Sequence, residues 1–248
     1  MIIDAHCHIS PFWYEQVDAL LYHMDQNNVE KAILTQLMGQ YNNQYQIDCV
    51  TQHPDRLASV VLIDTSLPDA LQMLEQEAEA GAAGLRLNPD VRSPGDDPLA
   101  VWRKAEALGM AISCAGHGEG FADDGFADLI EAVPDLPIVI EHLGNVNKPG
   151  EMPQETMVQK VYGLARYPNV HIKIHGLGEF CRRATPAQEP FPFEQPIPPL
   201  LDLATMPLVR NVSCGAATTH LLAAGKATIM RCTGRWRSLP INRRKSGT

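Results

Sequence analysis

The chain has 248 residues, 45% of them hydrophobic, and a net charge of −9, which suits one globular domain and gives no reason to expect a nucleic-acid partner. No run approaches the roughly 20 apolar residues of a membrane span, and the first residues lead straight into a strand-like segment, so a cytoplasmic protein with no membrane partner is expected. Six cysteines (Cys7, Cys49, Cys114, Cys181, Cys214, Cys232) without a CxxC pair point to reduced thiols rather than to a disulfide framework or a zinc knuckle.

In chain order, short β-type runs alternate with helical patterns. The strand candidates are 1–6, 31–36, 58–64, 83–88, 109–115, 136–142 and 169–176, and amphipathic helices are predicted at 14–27, 69–80, 97–109, 126–133 and 154–167. Seven βα units predict an α/β fold of the (β/α)8, TIM-barrel-like kind whose eighth strand is missing or disrupted. After the seventh strand, "TPAQEPFPFEQPIPP" (185–199) is too rich in proline for regular structure; it is either a linker or, as favoured here, a rim loop walling the pocket.

The chemistry-bearing residues collect at strand ends. In "MIIDAHCHIS", alternation puts Asp4, His6 and His8 on one face and Ile3, Ala5 and Cys7 on the other. Two imidazoles about 6.5–7 Å apart along a strand can turn onto one ion. On strand 4, Arg86 and Asn88 share a face; an inward arginine either clamps a substrate carboxylate or lies in a structural salt bridge. His142, at the end of strand 6 in "IEHLG", is expected to be a third metal ligand. On strand 7, Lys173 and His175 face inward together; His175 is the better pocket candidate, whereas Lys173 pairs with a buried carboxylate. His117, in the loop after strand 5, is a further ligand, a base or a flexible rim histidine. Its neighbouring glycines match no phosphate-binding pattern.

Together "IDAHCH", "GLRLNP", "IEHLG" and "NVHIKIHGLGEF" resemble the amidohydrolase superfamily, closest to its amidohydrolase-related branch of metal-dependent hydrolases and lactonases, over about residues 1–204. The resemblance implies a barrel with its site at the C-terminal rim. By position His6, His8 and His142 match metal ligands and Arg86 a substrate-side arginine, with Asn88 beside it; His117 and His175 are the catalytic candidates. The bridging lysine of dinuclear members has no counterpart in "GLRLNP", so one divalent ion, zinc, is expected, and metal-free catalysis is also open. The expected reaction is hydrolysis of a lactone or cyclic ester of a small acidic or sugar-derived substrate. The alternatives are a decarboxylase of the same superfamily and a catalytically impaired remnant. A small-molecule substrate is the expected partner, and a homo-oligomer is left open.

The charge along the chain sets residues 205–248 apart from the barrel domain 1–204. All 29 Asp and Glu lie within residues 1–202, whereas 203–248 holds 8 of the 20 Lys and Arg and no acid. Where the family carries a stretch like ERxMWGSDYP in strand 8, this chain reads "MPLVRNVSCGAATTHLLAAGKAT" (206–228). A one-base slip of the coding frame near Ala204 accounts for both features. From Thr205 onward, the displaced codons permit Y-D-A-F-G-P-E-R, an apolar position, then M-W-G-S-D-Y-P-P. The alanine is forced, because the Met206 codon ends in G, and the tryptophan across Cys214 and Gly215 competes with arginine alone. The slip puts the family's catalytic aspartate across the codons of Ala217 and Thr218.

Overall fold

The computed structural model describes residues 2–147, 151, 153–174, 181–186, 189, 193–194, 200, 203–204 and 212–213. Eight parallel strands follow one another around a curled sheet in sequence order: β1 (Ile3–Cys7), β2 (Lys31–Thr35), β3 (Leu57–Val61), β4 (Gly84–Leu87), β5 (Ala111–Cys114), β6 (Ile138–Ile140), β7 (Val170–Lys173) and β8 (Val212–Ser213). Parallel neighbours need crossovers, which α1 (Val17–Gln26), α2 (Gln44–Gln52), α3 (Ala70–Glu79), α4 (Ala100–Ala107), α5 (Gly118–Phe121), α6 (Asp124–Ala132) and α7 (Glu155–Gly163) provide. The seven predicted strands are all present. β8 has two residues, pairing Val212 with Ile172 and Ser213 with Lys173, and among the described residues no ladder joins it to β1. The fold is thus α/β and TIM-barrel-like, with its last strand disrupted, as the sequence predicts.

Two helices lie outside the predicted set. α2 buries Gln46 alongside Ile47 and Cys49, so its inner face lacks a continuous apolar stripe. Gln46 is tolerated there because its amide donates to Gln36 Oε1 at 3.3 Å and accepts from Ser59 Oγ at 3.0 Å. α5 is a single turn opened by His117.

Strand alternation sorts the core. Leu85 and Leu87 of β4, Ile112 and Cys114 of β5, Ile138 and Ile140 of β6, and Val170 and Ile172 of β7 pack outward with Leu74, Trp102, Phe126 and Leu129 of the helices. Burying each such large side chain contributes about 1.5–3 kcal/mol. A smaller cluster joins Cys7, Leu34, Leu20, Met24 and Cys49 beside β1 and β2. The inner positions of β4, β5 and β7 include Arg86, Ser113 and Lys173, with Glu141 just past β6. Close strand approach is built in at Gly84, where an added Cβ would stand 2.6 Å from the Ala111 carbonyl oxygen. Gly84→Ala is therefore expected to destabilise the protein by about 1–3 kcal/mol, read from the denaturant midpoint.

Strict alternation fails in β1. Its register against β2 slips between Asp4, paired with Ala32, and Cys7, paired with Leu34. There the Asp4 carboxylate accepts the His6 N–H at 3.0 Å and interacts with the Cys7 thiol. Of the proline-rich segment only Thr185, Pro186, Glu189, Phe193 and Glu194 are described: Phe193 forms an antiparallel bridge with Arg183 and joins the main core, and the other four are exposed.

Candidate active site

The site is assembled at the C-terminal ends of β1, β2, β4, β5, β6 and β7. His6 and His8 leave β1 with their Nε2 atoms 3.2 Å apart. Two nitrogens bound at about 2.0–2.1 Å to one tetrahedral ion lie about 3.3 Å apart, so this spacing is that of an ion's bite. His8 Nδ1 meets the Thr35 carbonyl oxygen at 2.7 Å, which makes Nδ1 the protonated atom and leaves the Nε2 lone pair toward His6.

His142 is delivered by an unusual turn. His142, Leu143, Gly144 and Asn145 all have φ between 44° and 73°. Left-handed conformations at non-glycine residues cost of order 1–3 kcal/mol each. The turn is held by Asn145 Nδ2 donating to the Gly116 carbonyl at 2.7 Å and by Tyr162 Oη donating to the Leu143 carbonyl at 3.3 Å. It sets the His142 ring 4.7 Å from that of His6, centroid to centroid. One donor atom from each of His6, Glu141 and His142 lies within 4.8 Å of the others.

Below the histidines lies a buried charge network. Arg86 grips Glu141 with both arms, Nε to Oε1 at 3.1 Å and Nη2 to Oε2 at 2.7 Å, and its Nη1 donates to the Gln36 carbonyl at 2.7 Å. Ser113 Oγ donates to Glu141 Oε1 at 2.5 Å and accepts from Lys173 Nζ at 2.6 Å. Lys173 Nζ also lies 3.3 Å from His6 Nδ1. Burial pushes the Glu141 carboxyl up, but Lys173, His6 and Arg86 outweigh it and hold it well below the usual carboxylate range. Burial pulls the Lys173 amine down to about 8, with Glu141 opposing.

Both histidines of β1 are neutral at pH 7, as metal ligands must be. Burial and then Lys173 push His6 well below its ordinary value; burial takes His8 down to about 4 despite the Thr35 carbonyl. A fixed consequence is acid sensitivity. In metal-stripped protein the unfolded imidazole takes a proton near pH 6.5, whereas folded His8 refuses it until about 4. Stability therefore falls as pH drops through that window, by about 3 kcal/mol for this ring. His8→Gln is expected to flatten that part of a plot of urea midpoint against pH.

The structure thus brings together His6, His8, His142 and Arg86, and places Asn88, half-buried, at the end of β4. His117 is exposed on the rim and is not part of the ion-sized cluster among the described residues. His175 lies outside the described residues. The glycines near His117 answer to packing: an added Cβ at Gly116 or Gly120 would meet Pro89 at 2.8 and 2.9 Å. Sequence reasoning passed over Ser113 and the role of Glu141. The available signal was an acid ending an apolar strand, beside a strand that alternates Ser113 with Ile112 and Cys114.

The amidohydrolase family model matches residues 3–206. No curated protein sequence matches the chain. Among solved structures, an Acinetobacter baumannii protein assigned as a 2-pyrone-4,6-dicarboxylic acid hydrolase, with citric acid bound, superimposes with a TM-score of 0.64 at 18% identity, over 87% of this chain and 83% of its own. An amidohydrolase from Burkholderia multivorans with bound zinc gives 0.67 at 16%, over 90% and 89%. A 5-carboxyvanillate decarboxylase from Novosphingobium aromaticivorans with bound manganese gives 0.55 at 12%, over 93% and 92%. At these identities the likeness is one of fold.

Proposed function

Since the chain belongs to the amidohydrolase family, we propose that it is a metal-dependent hydrolase that opens a lactone or related cyclic ester, with His6, His8 and His142 holding one divalent cation. The observation that carries this reading is the pair of neutral imidazoles with Nε2 atoms 3.2 Å apart and the ring of His142 against them. The donor set, nitrogen-rich with a carboxylate nearby, suits zinc. A cation held there would supply Lewis acidity to an ester carbonyl and to water.

The protein's own groups do the positioning. The Thr35 carbonyl fixes the tautomer of His8; Lys173 and Glu141 face Nδ1 of His6 at 3.3 and 3.8 Å and set its orientation. Arg86 supports Glu141 from below. Asn88 at the end of β4 contacts the substrate, and His117 on the rim and His175 past β7 are the groups proposed to move protons. The same histidines would serve a decarboxylase, a reading favoured only by the fold shared with the manganese-bound decarboxylase. Acid release from lactones against CO2 release from carboxylated substrates separates the two.

His6→Ala and His8→Ala are each expected to abolish tight binding of one equivalent of zinc, measured by calorimetry, and to lower turnover by orders of magnitude. Retained zinc binding and turnover in both variants would overturn the proposal.

A further inference from the structure

The loop leaving β1 carries the two most exposed large apolar side chains among the described residues, Phe12 at 89% and Trp13 at 76%. It is nevertheless a fixed loop. Ser10 Oγ accepts the backbone N–H groups of both Phe12 and Trp13 at 3.1 Å, and Ser10 N donates to the Glu15 carbonyl at 3.1 Å, closing the neck. A serine hydroxyl used this way pre-forms a turn. The next residue, Tyr14, turns inward, with its ring 5.1 Å from that of His8. Trp13 is five residues beyond His8, hence at most about 17 Å away along the chain.

The neighbouring rim loops repeat the pattern. Met38 and Tyr41 after β2, and Leu67 after β3, are exposed too, so most exposed large apolar side chains described lie on the rim over β1–β3 rather than on the outer helices. These loops leave the C-terminal ends of β1–β3, the side of the sheet on which the histidines stand, where apolar side chains can meet a ligand. Meanwhile Arg86, the arginine on the floor, has given its fork to Glu141 and its remaining arm to Gln36.

We infer that Phe12 and Trp13 form a fixed aromatic wall of the substrate mouth, and that the substrate class is a lactone or ester bearing a planar apolar ring beside the scissile carbonyl. The reaction in this inference rests on the hydrolase reading above; the ring does not.

The test uses two six-membered lactones that differ by one fused benzene ring, 3,4-dihydrocoumarin and δ-valerolactone, and their unhydrolysable ketone counterparts, 2-tetralone and cyclohexanone. The full chain is expected to favour dihydrocoumarin, and Trp13→Ala to lower that preference in kcat/KM about tenfold through KM, the size of a lost aromatic stack. Calorimetry is expected to show 2-tetralone binding weakened to the same extent by Trp13→Ala and restored by Trp13→Phe. Tyr22→Ala, on the outer helix α1, serves as an exposed-aromatic control that leaves the ratio unchanged. Trp13-dependent tetralone binding without hydrolysis of either lactone upholds the wall and sinks the hydrolase reading. Hydrolysis whose ring preference is untouched by Trp13→Ala, or a full chain that does not bind tetralone, overturns the wall.

Discussion

Glu141→Gln is expected to destabilise the protein by about 3–5 kcal/mol, the cost of leaving buried charge uncompensated. The carboxylate contacts Arg86, Ser113 and, at 3.9 Å, Lys173, and both cations are almost wholly buried. An amide keeps the shape and removes the charge, so two cations would remain within the barrel facing a neutral group. Arg86→Met should cost less, because Glu141 then still has Ser113 and Lys173. The cost of Glu141→Gln is greatest at neutral pH. A carboxyl whose folded pKa is depressed stabilises the fold fully above its unfolded value of about 4.3 and loses that contribution as pH falls through the folded value. Thermal unfolding at pH 7 checks the point: a fall of about 10 °C is expected for Glu141→Gln and a smaller one for Arg86→Met. Equal melting of Glu141→Gln and the parent would show that the network does not hold the barrel together.

That network also marks where the sequence was legible and where it was not. Strand periodicity located β1–β7, because apolar side chains packed against helices recur every second residue in β4–β7. It located α1, α3, α4, α6 and α7 for the corresponding reason at helical spacing. α2 escaped because its buried face carries Gln46, whose polarity is cancelled by Gln36 and Ser59, partners that no local pattern reveals. The histidines His6, His8 and His142 were legible as polar residues at the ends of apolar strands. The turn that aims His142 was not, since nothing in "EHLGN" announces positive φ at His142 and Leu143. The sequence leaves Arg86 open between two roles, and only the position of Glu141, 55 residues away, shows what its fork holds. The slip in β1 shows the limit of alternation: one extra residue between Asp4 and Cys7 breaks the strict period and leaves both histidines at the site.

Restoring the alternative reading frame after codon 204 is expected to produce the largest gain of function available to this chain, about 10²–10⁴-fold in turnover, the usual contribution of a positioned general base. The family match ends at residue 206 and no acid follows Asp202. One displacement of the frame would account for both, and it would supply an aspartate across the codons of Ala217 and Thr218. A full eighth strand would also extend the two-residue pairing with β7 and reach β1, and unpaired strand edges otherwise invite association with other chains. Two measurements decide it. Sequencing codons 195–230 from independent DNA establishes which frame the gene carries. Expressing both chains side by side then compares melting temperature, zinc binding and lactone turnover. A restored chain that melts higher and turns over faster supports the frame argument, and replacing its new aspartate by asparagine should remove the gain in rate while keeping the gain in stability. A restored chain that is no more stable and no more active than the written one would end the argument, and the written chain would then have to be understood as a barrel that functions without its eighth strand.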